Sequence, residues 1–462
     1  MTRIDPAANS WLETYDRKGH LLAQQDPLAN ITSYTYDTNG NRISITEPLG
    51  GHYLMNYGPR NERILEQNQD TNRWTYAYDE LLRLKQQTDP NGTTRTPTFD
   101  NAGRVLFIDF GTGRRDSFTP DFNDNLQSIS RRYAGVTTTT LFVYDLLDRV
   151  IEQDDALGMT VLYGYDPLRR VTSITYPGNL TLVNKFDALG RLTNQVDWAG
   201  RQLTYTYDPA DRLISRTYPN GVVQTNTFDT AGRITGLNHS PLSTINSNSI
   251  NLALTYAYDR NGNKTGGGER GTFNWPLPTL TDETSRFTPG GKLIDRNVLT
   301  NSTQLSSTIN YSYDSSGNLT NASGGGQTWR LSYDEDNRTT SIHWDAGITA
   351  KDISNRYDAL GRRISKTVDG ITTGYVLSLV GGMERILCDL DGGGNVTAWY
   401  VHGPDLCYKV NATNGLTCYH ADAMANIIAL TDGNTNLVAQ YAYTPYGRSL
   451  GSTNFQLLTP NS

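Results

Sequence analysis

The sequence predicts an all-β chain of antiparallel β-hairpin repeats, wound into a spiral shell or an open barrel-like sheet. Three observations lead there. An aromatic-Asp pair, with a Gly about three residues on and a basic residue beside it, recurs at a step of 21 residues. A second turn signature follows eleven residues after the aromatic in several repeats, at a fixed phase. The composition, with 28 Tyr, 43 Gly and only 19% charged residues, favours strands and turns over helices.

The first array runs through Tyr15-Asp16, Tyr36-Asp37, the degraded Tyr57-Gly58, Tyr78-Asp79, Phe99-Asp100 and the degraded Pro120-Asp121. After a 24-residue step it resumes at Tyr144-Asp145, Tyr165-Asp166, Phe186-Asp187, Tyr207-Asp208 and Phe228-Asp229. A period of this length means an array whose units chiefly contact their neighbours.

Within one unit, Tyr205 and Tyr207 are two apart and point to one face of a strand, as do Tyr34 and Tyr36 or Tyr163 and Tyr165. Such pairs should stack into ladders. Asp with Gly three residues later, as at Gly19, Gly40, Gly103 and Gly190, is hairpin-turn chemistry, because Asp caps nearby amides and Gly accepts a positive φ. The Arg four residues beyond the Asp (Arg83, Arg104, Arg149, Arg170, Arg191, Arg212, Arg233, Arg338, Arg362) reaches the turn carboxylate or a neighbouring ring. The second turn reads Asp26-Pro27, Glu47-Pro48-Leu49-Gly50, Asp89-Pro90-Asn91-Gly92, Tyr176-Pro177-Gly178-Asn179 and Tyr218-Pro219-Asn220-Gly221. Each repeat is therefore one hairpin with strands of about six or seven residues. A meander this long must coil, since open sheets rarely pass ~10 strands flat.

Four segments follow from the regularity of the period: a regular array over 1–235, irregular repeats with longer loops over 236–310, resumed repeats over 311–370, and a different stretch over 371–462. The irregular part holds Gly266-Gly267-Gly268 and Trp275-Pro276-Leu277-Pro278.

The net charge is −7, with acids and bases mixed along the chain. A nucleic-acid groove needs a basic stripe, so no nucleic-acid partner is expected. No apolar run approaches a membrane span, and no signal-peptide core opens the chain. Cys388, Cys407 and Cys418 are too few and too irregular for a disulfide framework. Free buried thiols are expected, with a Cys407–Cys418 bridge as the alternative.

The repeats resemble the YD repeats of the RHS family, which includes polymorphic toxins, Tc toxin shells and teneurins. The stretch from Gly403 to Arg448, with Gly403-Pro404-Asp405, Tyr419-His420-Ala421-Asp422, Ala429-Leu430-Thr431-Asp432 and Tyr441 to Arg448, resembles the segment leading into the RHS core. The resemblance implies a hollow β-shell around polypeptide cargo, often the protein's own C-terminal toxin, in a secreted or surface protein. In relatives that release cargo, an Asp-Pro-x-Gly-rich core with paired aspartates drives self-cleavage after this segment. The chain is expected to be a fragment of a longer protein that stops short of that region, so no cleavage residue carries over. At Ala423-Met424-Ala425-Asn426 relatives tend to have Leu-Gly-Ser after the Ala, which predicts an altered Gly-dependent turn.

Catalytic signatures are absent: no HExxH, no phosphate-binding loop, no dinucleotide fingerprint and no nucleophile elbow. His402, Cys407, Cys418, His420 and Asp422 make the one cluster of ligand-type residues, and its spacing fits no zinc pattern. No catalytic, cofactor-binding or metal residue is assigned, and no cofactor. The expected function is a non-enzymatic shell segment enclosing a toxin or other polypeptide. A carbohydrate-binding adhesion protein, using outward-facing Tyr rings, is the alternative, and a polysaccharide hydrolase at residues 264–308 a weaker one. Self-association through exposed sheet edges is also expected.

Overall fold

A computed structural model describes the chain except residues 5–9, 243–248, 260–263, 272–282, 289–291, 301–303, 381–383, 444–448 and 453–462. It is all-β: no helix occurs among the described residues, and the strand pairings among them are antiparallel. Strands pair with their sequence neighbours, as the hairpin period requires.

One repeat shows how. Strand Gln202–Tyr207 turns at Asp208 into strand Leu213–Thr217, which turns at Tyr218 into strand Val222–Phe228. In the first turn the Asp208 amide donates to the Arg212 carbonyl and the Asp211 amide to the Asp208 carbonyl. Asp208 Oδ1 accepts the amides of Ala210 and Arg212 at 2.9 and 3.0 Å. The register slips by one residue just before the aromatic, between Thr206 and Tyr207, and likewise at Thr35/Tyr36, Gly164/Tyr165 and Lys185/Phe186. This bulge seats the five-residue turn. It also shortens the strand after the turn to five residues, below the expected six or seven.

The chain forms two compact units, Met1–Leu141 with Leu280–Thr372, and Phe142–Thr279 with Thr373–Ser462. In each, a stretch of early repeats faces a stretch of late strands. The second unit holds the apolar core: Val161, Leu182, Leu203, Leu237 and Leu254 from the repeats pack on Val376, Leu387, Val401, Val410 and Ile428 from the late strands. The first unit is more polar inside, where Phe110 and Ile129 are buried beside Arg114, Asp116 and Arg131.

Candidate functional site

The repeated acidic and basic residues meet in one arrangement. Arg191 Nε donates to Asp187 Oδ2 at 2.7 Å, and the same guanidinium lies 5.1 Å from the ring centre of Tyr207, one repeat on. The Tyr207 hydroxyl donates back to the Leu192 carbonyl at 2.9 Å. Arg149 with Asp145 and Tyr165, and Arg338 with Asp334 and Tyr357, repeat it. Arg thus binds its own turn and stacks on the next ring, both roles at once. The Arg149 side chain, followed by backbone amides, holds the Asp145 carboxyl down at about 2. A carboxylate so fixed in its charged form caps a turn and is not poised to exchange protons. The expected ring-on-ring ladder is realised with a guanidinium on each of these signature rings.

In the second unit a polar seam joins repeats to late strands. Gln153 donates to the Leu377 carbonyl at 2.6 Å, Tyr163 meets Ser378 Oγ at 2.9 Å, and Tyr176 donates to the Tyr400 carbonyl at 2.9 Å. Gln195 donates to the His402 carbonyl at 3.0 Å, and Tyr408 donates to Asp197 Oδ2 at 3.0 Å. Arg216 is buried and paired with Asp405, and its Nη1 lies 3.3 Å from Cys407 Sγ. Gln153, Gln195 and Arg216 all stand nine residues past a signature aromatic, where Ile45 and Ile174 stand in other repeats. Sequence reasoning does not single them out. The phase is mixed, with Gln24, Glu66 and Gln87 polar as well, so it does not tell these three apart; what does is their burial, which requires a buried partner.

The five ligand-type residues of the late strands are not one centre. Asp422 caps an exposed turn, accepting the Met424 and Asn426 amides at 2.8 and 2.9 Å. His402 bonds the Ile386 carbonyl at 2.7 Å. His420 contacts Thr431 Oγ1 at 2.8 Å and packs edge-on against His239, their ring centres 5.0 Å apart. All three cysteines are free and buried, which settles the thiol question against a bridge. Burial pushes the thiols of Cys388 and Cys418 well above their usual range, so they stay protonated. No group of three or more His, Cys, Asp or Glu among the described residues could hold a metal. The turn at Ala425 is not altered: it keeps the bonding of its counterparts, with Ala425 itself at a φ of 63°.

The first unit has a charged seam of its own, again between early repeats and late strands. Arg114 and Arg131 both pair with Asp116, and Arg114 also reaches Glu335 and Asp336. Arg95 pairs with Asp336 at 3.1 Å. Asn91 donates to Asp314 Oδ2 at 3.0 Å. A cavity of about 460 Å³ opens beside this seam, with Tyr133, Tyr333, Asn355 and Tyr357 in its wall. Residues 264–308, the weaker hydrolase candidate, lie partly outside the described residues.

The RHS Repeat family model matches residues 15–52, 144–181 and 186–223. The chain carries RHS repeats at these three places. Each match begins at a signature aromatic, and the RHS unit therefore coincides with the Asp-Arg-aromatic interlock. Where the signature is degraded, the RHS turn survives by replacement. At Tyr57-Gly58 the Glu62 carboxylate accepts the Arg60 amide at 2.8 Å in place of the missing Asp.

Among curated relatives, the tRNA3(Ser)-specific nuclease WapA of Bacillus spizizenii is 32% identical over 139 residues, which are 29% of this chain and 6% of that protein. The tRNA nuclease WapA of Bacillus subtilis is 32% identical over 137 residues, with the same shares. The chain thus spans a small part of the curated relatives it matches. Among solved structures, TcdB2–TccC3–Cdc42 aligns over 96% of this chain and 28% of its own, at 15% identity and a TM-score of 0.59. The Photorhabdus luminescens Tc holotoxin pore aligns over 96% of this chain and 30% of its own, at 12% identity and a TM-score of 0.54. The RHS-repeat fold is shared with these Tc structures along nearly the whole chain.

Proposed function

We propose that this chain is a non-enzymatic wall segment of a secreted or surface RHS protein, and that it encloses a toxin or other polypeptide cargo. The observation that carries the reading is the fold likeness to Tc toxin structures over 96% of the chain. The residue chemistry agrees: repeated Asp and Arg are engaged in turn capping and ring stacking, and the buried polar groups are engaged in seams. The WapA relatives are named as nucleases, while the part they share with this chain is 6% of their length. A nuclease activity in such a protein then belongs to the cargo, and the repeats contain it. Neither a metal nor a cofactor is needed for that task.

The test is to read the gene on both sides of the codons for Met1 and Ser462, express the whole frame, and digest it with a broad-specificity protease. Protection of a distinct polypeptide until the repeats are denatured supports enclosure. Cleavage of that polypeptide at the rate of its isolated form refutes it.

The glycan-binding reading keeps one foothold. Tyr163 and Tyr205 are buried with their hydroxyls bonded, so they present no face to a sugar. Tyr15 and Tyr133 are 42% and 54% exposed and do present one. Glycan binding that Tyr133→Ala abolishes would favour adhesion over enclosure.

A further inference from the structure

The six histidines divide evenly between the units, and their surroundings are opposite. In the first unit, His20 Nδ1 lies 2.8 Å from Asp16 Oδ2 and His343 Nδ1 2.7 Å from Asp352 Oδ1. His52 is exposed. In the second unit, His239 and His420 are fully buried, and His402 is half-buried and bonded to a backbone carbonyl.

His239, on strand Ile234–Pro241, bonds the Ala421 carbonyl at 3.0 Å and so ties a repeat strand to a late strand. The groups facing the pair are Arg216 and Tyr218 from the repeats, and Asp405 and Thr431 from the late strands. Arg216 already holds the carboxylate of Asp405. A new imidazolium would therefore sit beside a cation whose counter-charge is committed. The Nδ1 atoms of His239 and His420 are buried and have no protein partner to stabilise an added proton. His402 faces Arg385 and Asp405.

We propose that His239, His402 and His420 form an acid-sensitive latch, so that mild acid loosens the seam of the second unit while the first unit stays closed. The latch needs no cargo and stands apart from enclosure. Burial first, against weaker backbone and carboxylate help, pushes His239 and His402 down to about 4, and His420 well below its ordinary value. A base depressed in the folded state binds fewer protons there than in the opened chain. Its stabilisation is complete above the ordinary histidine value of about 6.5 and is lost as pH falls toward about 4. Asp389, raised by burial, titrates in the opposite sense, one group against three. The turn aspartates, such as Asp79 in the first unit and Asp145 in the second, are lowered. Their loss therefore begins only at more acid pH, and in both units.

Hydrogen exchange of the whole chain at about pH 7.5 and pH 5, corrected for intrinsic rates, tests this. Linkage gives about a thirtyfold rise in opening for each histidine held near 4 over that interval. Segments 234–241, 396–402 and 416–432 should therefore exchange at least about thirtyfold faster in acid, while segments 21–25, 63–67 and 115–120 stay within about threefold. Equal acid sensitivity in both units, or none in the second, overturns the latch. His239→Gln and His420→Gln should each shrink the factor, and an undiminished factor in either also overturns it. Should a variant fail to fold, ring-carbon labelling of histidine in the wild-type chain decides. Three of the six imidazole signals should stay neutral down to about pH 5. Titration of more than three above that pH refutes the latch.

Discussion

Arg216 lies buried on strand Leu213–Thr217 with Nη2 at 3.3 Å from Asp405 Oδ2, so a repeat and a late strand almost two hundred residues apart share one ion pair. Gln224 Oε1 accepts from the same guanidinium at 2.5 Å, and Cys407 Sγ is at 3.3 Å. The guanidinium is thus out of water and depends on Asp405 for its counter-charge.

Removing that carboxylate leaves a buried cation without its counter-ion, at a cost of about 3 kcal/mol. Asp405→Ala should lower the urea midpoint of the second unit accordingly. The double variant Arg216→Met with Asp405→Leu should recover most of the loss, because it removes both charges and keeps volume. Equal midpoints for wild type and Asp405→Ala would show that solvent reaches the pair and carries the charge.

The interlock between repeats makes a smaller and repeated contribution. Arg191 bonds Asp187 and stacks on Tyr207, and both contacts are open to solvent screening. Arg191→Ala should lower the unfolding midpoint by roughly a third or less of the step that Asp405→Ala produces. Arg191→Lys should restore only part of it, since an ammonium lacks the planar fork that makes both contacts. Thermal unfolding of the three proteins in low salt checks the ranking, and a Lys variant as stable as wild type would contradict it.

Much of this is legible in the sequence because it repeats. The 21-residue phase implies the hairpins, and the Asp and Gly positions imply the turns, since both follow from residues a few positions apart. The seams are not legible. Gln153 to Leu377, Arg216 to Asp405 and His239 to Ala421 each join residues far apart in the chain, and each occurs once. Period says nothing about which late strand will face a given repeat. The sequence offers the Arg either the turn carboxylate or a neighbouring ring, and only the fold shows that one guanidinium takes both. The residues from His402 to Asp422 stand close in sequence, yet their spacing fits no metal pattern. Strand alternation and the exposed turn at Asp422 send them to different surroundings.

The three thiols make a prediction about accessibility. Cys388, Cys407 and Cys418 are each 0% exposed, and burial raises all three. Because the thiolate is the reactive form, a disulfide-exchange reagent should titrate no thiol in the native chain at about pH 8 and all three in denaturant. Fast reaction of one thiol in the native state would mean that the second unit opens at that strand.

Ala425 offers a stabilising change that touches no partner. Its φ of 63° lies in the left-handed region, where an L side chain is strained and glycine is not. The turn is held there by its neighbours: the Ala425 amide donates to the Asp422 carbonyl at 3.1 Å, and the Asp422 carboxylate caps Met424 and Asn426. Equivalent turns place glycine at this point, as Gly190 and Gly232 do at φ of 84° and 81°. Ala425→Gly relieves about 1 kcal/mol of backbone strain, offset in part by the greater freedom of glycine in the unfolded chain. The net expectation is a gain of about 0.5 kcal/mol, seen as a higher unfolding midpoint with an unchanged urea slope. Ala425→Val should move the midpoint the other way, because a β-branched side chain tolerates positive φ least. A lower midpoint for Ala425→Gly would show that unfolded-state entropy outweighs the strain at this turn.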